Sequence, residues 1–198
     1  LAGDQNVGMA TLFNGFSSGR GFNAPRDLAG VERIEFLKGT AAALYGSSEP
    51  GGTLNVVSKR PHWKPSHALE IYAGSYGLKR GALDSTGPLG EKLAYRLNIA
   101  VEDRDSFRDH VSASRQVIAP AFIWKLGSGT VLEYAGEVLR HKTPLDRGVV
   151  AVNGRLGAIP RSRFLGEPAD GDVTVDNQTH QFVLSHQWTP TWRSRIGL

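Results

Sequence analysis

The feature that most constrains this chain is the stretch from Val31 to Pro61, where two strand-like runs are joined by a bend that only glycine tolerates. Val31, Arg33 and Glu35 alternate with Glu32, Ile34 and Phe36, and Leu37 runs into Lys38-Gly39, where the strand stops. Thr40 predicts a cap for a short helical run, Ala41 to Leu44, because its hydroxyl can accept from an unpaired first-turn amide. Gly46 ends that run. Pro50-Gly51-Gly52 then reverses the chain, and Thr53-Leu54-Asn55-Val56-Val57 is β-branched until Lys59-Arg60-Pro61 breaks it. Gly46 to Thr53 also has the glycine spacing of a phosphate-binding loop. Gly52 stands where that loop needs its lysine, and a helical turn precedes it instead of a strand, which argues against nucleotide binding.

These residues carry a family likeness. Glu32-Arg33-Ile34-Glu35, Lys38-Gly39, Leu44-Tyr45-Gly46, Pro50-Gly51-Gly52, Asn55 and Lys59-Arg60-Pro61 stand in one register. Together they resemble the C-terminal end of the plug domain of TonB-dependent outer-membrane receptors of the siderophore class. Thr40 departs from the family, which usually has proline there, and changes only the local turn. The resemblance implies a mainly β fold in two parts: residues 1–61 as the C-terminal part of an α+β plug domain, and residues 62–198 as the first antiparallel strands of a twenty-two-stranded transmembrane β-barrel. It covers essentially the whole chain. The barrel would not be closed, and the N-terminal plug with its TonB-engaging segment would lie outside the sequence.

Composition alone points elsewhere. No run approaches the roughly 18 apolar residues of a spanning helix, and Leu1-Ala2-Gly3-Asp4 has neither the basic head nor the apolar middle of a signal peptide. A β-barrel hides its apolar face by alternation, so this does not make the chain soluble. Net charge is +4, from 23 Lys and Arg against 19 Asp and Glu, too balanced to argue for nucleic acid. The absence of cysteine excludes a disulfide scaffold, thiolate metal sites and a cysteine nucleophile.

From His67 onward the pattern alternates. Leu69, Ile71 and Ala73 share a face; then Leu93, Tyr95, Leu97, Ile99 and Val101 oppose Arg96, Asn98, Ala100 and Glu102. About ten residues, apolar on one side and polar or small on the other, suit a barrel strand, though a half-buried sandwich strand has the same local pattern. Roughly seven strands are expected. Tight turns at Gly87–Gly90, Leu126–Gly129 and Trp188–Thr191 alternate with longer connections at Asp103–Ser114 and His141–Val175. Trp124, Trp188 and Trp192 all sit near the tight turns, where an aromatic girdle would meet the membrane interface.

The candidate residues follow from the resemblance and from their own chemistry. Ala10 to Phe13 reads as a short strand ended by Asn14-Gly15, and the loop after it, Phe16 to Arg26, corresponds to a plug apex that touches the ferric siderophore. Ser18, Arg20, Phe22 and Asn23 are its candidate contacts: an arginine suits anionic or hydroxamate oxygens and an aromatic ring the ligand's apolar surface. Arg161 and Arg163 lie in Ile159 to Pro168, similar to a proline-flanked segment of ferric-siderophore receptors. Glu32, Arg33, Glu35 and Lys38 are candidates for charged plug–barrel contacts. No catalytic constellation is present, and an enzyme is not expected. His180 and His186 share a strand face ~20 Å apart, too far for one metal, and Asp103, Asp105 and Asp109 lack the glycine and glutamate of a calcium loop.

The resemblance therefore implies a transporter of ferric siderophores in the bacterial outer membrane. Iron would stay within its chelate, with no cofactor or protein metal ligands. Expected partners are the TonB–ExbB–ExbD complex, outer-membrane lipid and lipopolysaccharide. Overall likeness leans to hydroxamates such as ferrichrome. Haem, cobalamin or oligosaccharide import, or a soluble β-rich binding domain, are the rival readings.

Overall fold

A computed structural model describes residues 10–18, 26–37 and 52–198. The helical run Ala41–Leu44 with its Thr40 cap, Lys38-Gly39 and the first two residues of the Pro50-Gly51-Gly52 bend lie outside these residues. Gly52 is described: φ is +106°, and an added Cβ would lie 2.9 Å from the Leu37 carbonyl oxygen. Only glycine fits there.

Two sheets form. The smaller comprises β1 (Ala10–Phe13), β2 (Phe16–Ser17), β3 (Val31–Leu37) and β4 (Thr53–Ser58), in the order β2-β1-β4-β3. β1 and β4 run parallel, whereas the other pairs are antiparallel. Asn14-Gly15 turns β1 into β2 with φ of 50° and 85°, the double positive φ that a two-residue hairpin turn demands. Before β3, a 3-10 turn over Leu28–Gly30 is capped by Asp27, whose Oδ1 accepts from the Ala29 amide at 2.8 Å. A Cβ on Gly30 would meet the Ala119 Cβ at 2.9 Å, so glycine lets this turn lie flat on the larger sheet.

The larger sheet is an antiparallel meander of seven strands, each paired with its sequence neighbours: β5 (Ser66–Ala73), β6 (Lys79–Pro88), β7 (Leu93–Asp105), β8 (Ser112–Gly127), β9 (Thr130–Pro144), β10 (Asp172–Gln187) and β11 (Arg193–Gly197). β5 and β11 are its two edges, and it does not close. The strands outrun the sequence expectation. The connection expected from Asp103 to Ser114 shrinks to residues 106–111, and the excursion expected from His141 to Val175 shrinks to 145–171. Charged residues end the apolar alternation there, but the backbone ladder continues through Asp103↔Ser114, Asp105↔Ser112 and Asp172↔Pro144.

Burial settles which kind of sheet this is. Leu69, Leu83, Ile99, Ile118 and Val138 stand opposite one another across five strands. This apolar row faces outward: Leu69 is 69% exposed and Ile118 49%. The opposite face is covered. Ala94, Asn98, Ala100, Val117, Ala121, Glu137, Leu139 and Gln181 are all buried beneath the small sheet and its 3-10 turn. A soluble sandwich would bury the apolar side; this wall turns it out toward lipid and keeps polar and small residues inside. Tyr95, Phe122, Tyr134 and Phe182 form a second outward row nearer the tight turns. Below it Trp124 is exposed, and Trp188 stacks on Trp192 with ring centres 5.8 Å apart.

Candidate functional site

The inner wall meets the small sheet through charge rather than through a large apolar core. That core is small, Ala100, Val117 and Leu139 with Ala29 and Ala82 against it. Alternation aims Arg80, Asp84, Arg96, Glu102, Arg115 and Glu137 inward. Arg26, Asp27 and Lys59, which flank the strands of the small sheet, pair with Glu137, Arg80 and Asp84, while Glu102 and Arg96 pair with Arg80 and Asp84 within the wall.

Asp27 is central. Its capping role fixes the carboxylate, whose exposure is 2%, and Arg80 binds it in a fork: Nη2 to Oδ1 at 2.7 Å and Nη1 to Oδ2 at 2.9 Å. Arg80 Nη1 also reaches Glu102 at 3.0 Å, and Arg115 stands 3.8 Å from Asp27. Burial pushes the Asp27 carboxyl up, but the bonds from Arg80 and the Ala29 amide outweigh it and hold the group below its ordinary value. Next to it, Arg26 pairs with Glu137 at 3.0 Å, donates to Ser18 Oγ at 2.7 Å and lies over the Phe13 ring at 4.4 Å. Burial lowers the Arg26 guanidinium, and Glu137 partly offsets this.

A second group sits where β4 leaves the small sheet. Lys59 Nζ reaches Asp84 at 2.9 Å, while Arg96 grips the same carboxylate through Nε at 2.9 Å and Nη2 at 2.8 Å. Arg60 pairs with Glu133, and its carbonyl accepts from Arg96 at 3.1 Å. A third contact is neutral: Asn14 Nδ2 donates to Gln181 at 2.9 Å, and Gln181 Nε2 returns a bond to the Phe13 carbonyl at 3.2 Å.

At the long-connection end, loop 106–111 and loop 145–171 join through Arg108. Its Nη2 donates to Asp146 at 2.9 Å and to the Arg163 carbonyl at 2.9 Å, and its Nη1 to the Arg161 carbonyl at 2.8 Å. The Asp109 amide adds a bond to the Ser162 carbonyl at 2.8 Å. An open pocket of about 520 Å³ is lined there by Asp109, His110, Arg163, Phe164, Gly166 and Pro168.

Of the expected site residues, Arg20, Phe22, Asn23 and Lys38 lie outside the described residues. Ser18 is tied inside the small sheet, accepting from Arg26 and donating its amide to the Thr11 carbonyl at 2.9 Å. Glu32 is exposed on β3. Arg33 and Glu35 pair with each other at 2.7 Å, and Glu35 accepts from Asn55 at 2.8 Å, bonds that hold its carboxyl below its ordinary value. Both line a cleft of about 440 Å³ whose far side includes Glu133, Ala135 and Gln181. Arg161 and Arg163 are exposed, with Arg161 over the Phe107 ring at 5.7 Å. His180 and His186 bond to Tyr134 and Thr130.

Among the described residues, the ion pairs between the sheets come from Arg26, Asp27, Lys59 and Arg60, which sequence reasoning passed over. One signal was available. An inward strand face carrying Arg80, Asp84, Arg96 and Glu102 needs counter-charges, because a buried charge persists only when paired. Lys59-Arg60, read as a strand stop and as part of the family motif, and Asp27, which the reading of the loop Phe16 to Arg26 left out, were the nearest sources.

Comparison with known proteins adds the following. A family model described as the TonB-dependent receptor plug domain matches residues 3–53. The metal-pseudopaline receptor CntO of Pseudomonas aeruginosa (strain UCBPP-PA14) is 45% identical over 184 residues, 91% of this chain and 26% of that protein. The ferrichrome outer membrane transporter/phage receptor of Escherichia coli (strain K12) is 27% identical over 177 residues, 85% of this chain and 23% of that protein. The crystal structure of the ferripyoverdine receptor of the Pseudomonas aeruginosa outer membrane superposes with a TM-score of 0.83 at 23% identity, covering 95% of this chain and 27% of that one. The chain spans about a quarter of the length of the curated relatives it matches.

Proposed function

The chain belongs to the TonB-dependent receptors of the outer membrane, and on that premise we propose that the full-length protein imports a metal chelate of the siderophore class, with iron as the metal. The observation that carries this reading is the 45% identity, over nearly the whole chain, to a receptor named for a metal chelate. The outward apolar rows and the polar inner wall support its setting in a membrane.

In this reading the small sheet is the later part of the plug and the seven strands are the first part of the barrel wall. The chelate docks from outside, against the plug apex containing Arg20, Phe22 and Asn23 and against the outer loop carrying Arg161 and Arg163. Their cationic groups attract an acidic, oxygen-rich chelate. TonB, driven with ExbB and ExbD by the proton gradient, then displaces the plug. Displacement exchanges the Asp27–Arg80, Arg26–Glu137 and Lys59–Asp84 pairs for water and opens the route inward. The metal stays within its chelate, so no protein ligands or cofactor take part.

Uptake of iron-55 by cells carrying the full-length gene, supplied as ferrichrome, ferrioxamine, ferripyoverdine or the pseudopaline complex, tests the reading with and without TonB. TonB-dependent uptake of one chelate supports it. Haem or cobalamin uptake in place of all four would overturn the substrate while leaving the fold. A second reading, import of a metal other than iron, is favoured by the relative's name, which specifies metal and not iron. Zinc-65 and nickel-63 arms of the same assay distinguish it.

A further inference from the structure

Arg108 has no part in the joint between plug and wall, yet its side chain is only 10% exposed. It sits in the short loop 106–111, which closes on itself: the Ser106 amide donates to the Val111 carbonyl at 2.9 Å, and the Arg108 amide to Ser106 Oγ at 3.2 Å. His110 takes a φ of 59°, a left-handed conformation that side chains adopt at a cost, commonly where local geometry must be held. This closed loop carries the guanidinium into the longer loop 145–171. There Nε and Nη2 lie against Asp146, which the Gly148 amide fixes at 2.9 Å, and the remaining donors reach the carbonyls of Arg161 and Arg163. Residues 161 and 163 lie in one tight turn, so gripping both of their carbonyls from one guanidinium fixes how that turn is oriented against loop 106–111. The turn runs from Pro160 to Arg163 and is closed by the Arg163 amide at 2.9 Å, which keeps it short and stiff.

We infer that Arg108 is the positioning residue of the outer chelate-contact surface: it fixes where the side chains of Arg163 and Phe164 stand around the pocket shared with His110, and where Arg161 stands over the Phe107 ring. The inference rests on the proposed function. It adds that chelate affinity is set by a residue that does not itself face the chelate. A planar fork with five donors performs this task; a lysine, a point charge with three rotatable donors, performs it partly. Pre-organising the two arginines spares the ordering cost that mobile contacts impose at binding.

The test is iron-55 uptake by cells expressing full-length receptor, with each of the four chelates above supplied over a concentration series. In Arg108→Ala the half-saturating concentration should rise about tenfold, the loss of one well-placed contact. The maximal rate and the amount of receptor in the outer membrane should stay unchanged. Arg108→Lys should recover part of the affinity. Asp146→Asn should weaken uptake in the same sense, and the double variant should be no worse than Arg108→Ala alone. Arg140→Ala, on the outward face of β9, is the control and should match the wild type. If wild-type cells take up a chelate and Arg108→Ala takes it up with unchanged half-saturation, or loses only maximal rate, the positioning role is overturned and the function stands. If wild-type cells take up none of the four, the function falls first and the inference with it. Should Arg108→Ala fail to reach the membrane, Arg108→Lys and Asp146→Asn carry the same comparison.

Discussion

The two faces of the large sheet obey opposite rules, and the contrast shows how a wall can grip its contents without welding to them. Outward, Leu83, Ile99, Ile118 and Val138 form a continuous apolar row, whose burial in lipid repays itself by area. Inward, strands β6, β7 and β9 offer Arg80, Asp84, Arg96, Glu102 and Glu137. Arg80, Asp84 and Glu137 pair with Asp27, Lys59 and Arg26 at the margins of the small sheet, while Glu102 and Arg96 brace Arg80 and Asp84 from within the wall. A buried ion pair contributes little net stability, since desolvation offsets attraction, yet removing one partner is costly. The outer face is therefore a permanent bond to a solvent. The inner face is a specific joint that water can replace, pair by pair.

The sharpest way to break the contrast is to orphan a charge at the joint. Asp27→Ala leaves Arg80 and Arg115 facing an empty capping site and should cost ~3–5 kcal/mol, read as earlier hydrogen exchange of the β3–β4 amides in full-length receptor. Next comes the outer face: Ile118→Arg, mid-row, should cost ~2–4 kcal/mol and lower the yield of receptor folded in lipid vesicles. A smaller effect is expected from pH. The Asp27 carboxyl is held below its ordinary value, so its contribution is complete above about pH 4, the unfolded value, and fades as pH falls through the folded one. Acid should loosen the β3–β4 amides in wild type, and Asp27→Asn should remove that part of the pH dependence. Smallest of all, Arg140→Ala breaks the solvated Arg140–Asp176 pair and should leave the unfolding midpoint in urea unchanged.

The strands were legible because alternation is local: a reader of Leu93 to Val101 needs no other part of the chain to see two faces. The bend at Gly52 was legible for the same reason. The joint was not. Asp27 and Arg80 are 53 residues apart and Arg26 and Glu137 are 111 apart, so their pairing depends on where one sheet comes to rest on another. The charges of Glu32, Arg33, Glu35 and Lys38, on β3 and just after it, drew attention instead, yet Arg33 and Glu35 satisfy each other and Asn55. Strand ends were misjudged because the eye follows apolar residues, whereas the ladder follows backbone groups, which go on pairing through Asp103 and Ser114.

That continuation has a consequence in height. The 16 residues of β8 and of β10 span ~50 Å along the strand. Tilted as barrel strands are, they rise ~37 Å against an apolar band ~25 Å tall. The tryptophans lie at the tight-turn end, so most of the surplus stands at the other, lifting the Arg108-clamped loops about 10 Å beyond the lipid on a rigid collar. The clamped loops thus form a rim whose distance from the lipid is set by the length of the strands beneath it, not by the loops themselves.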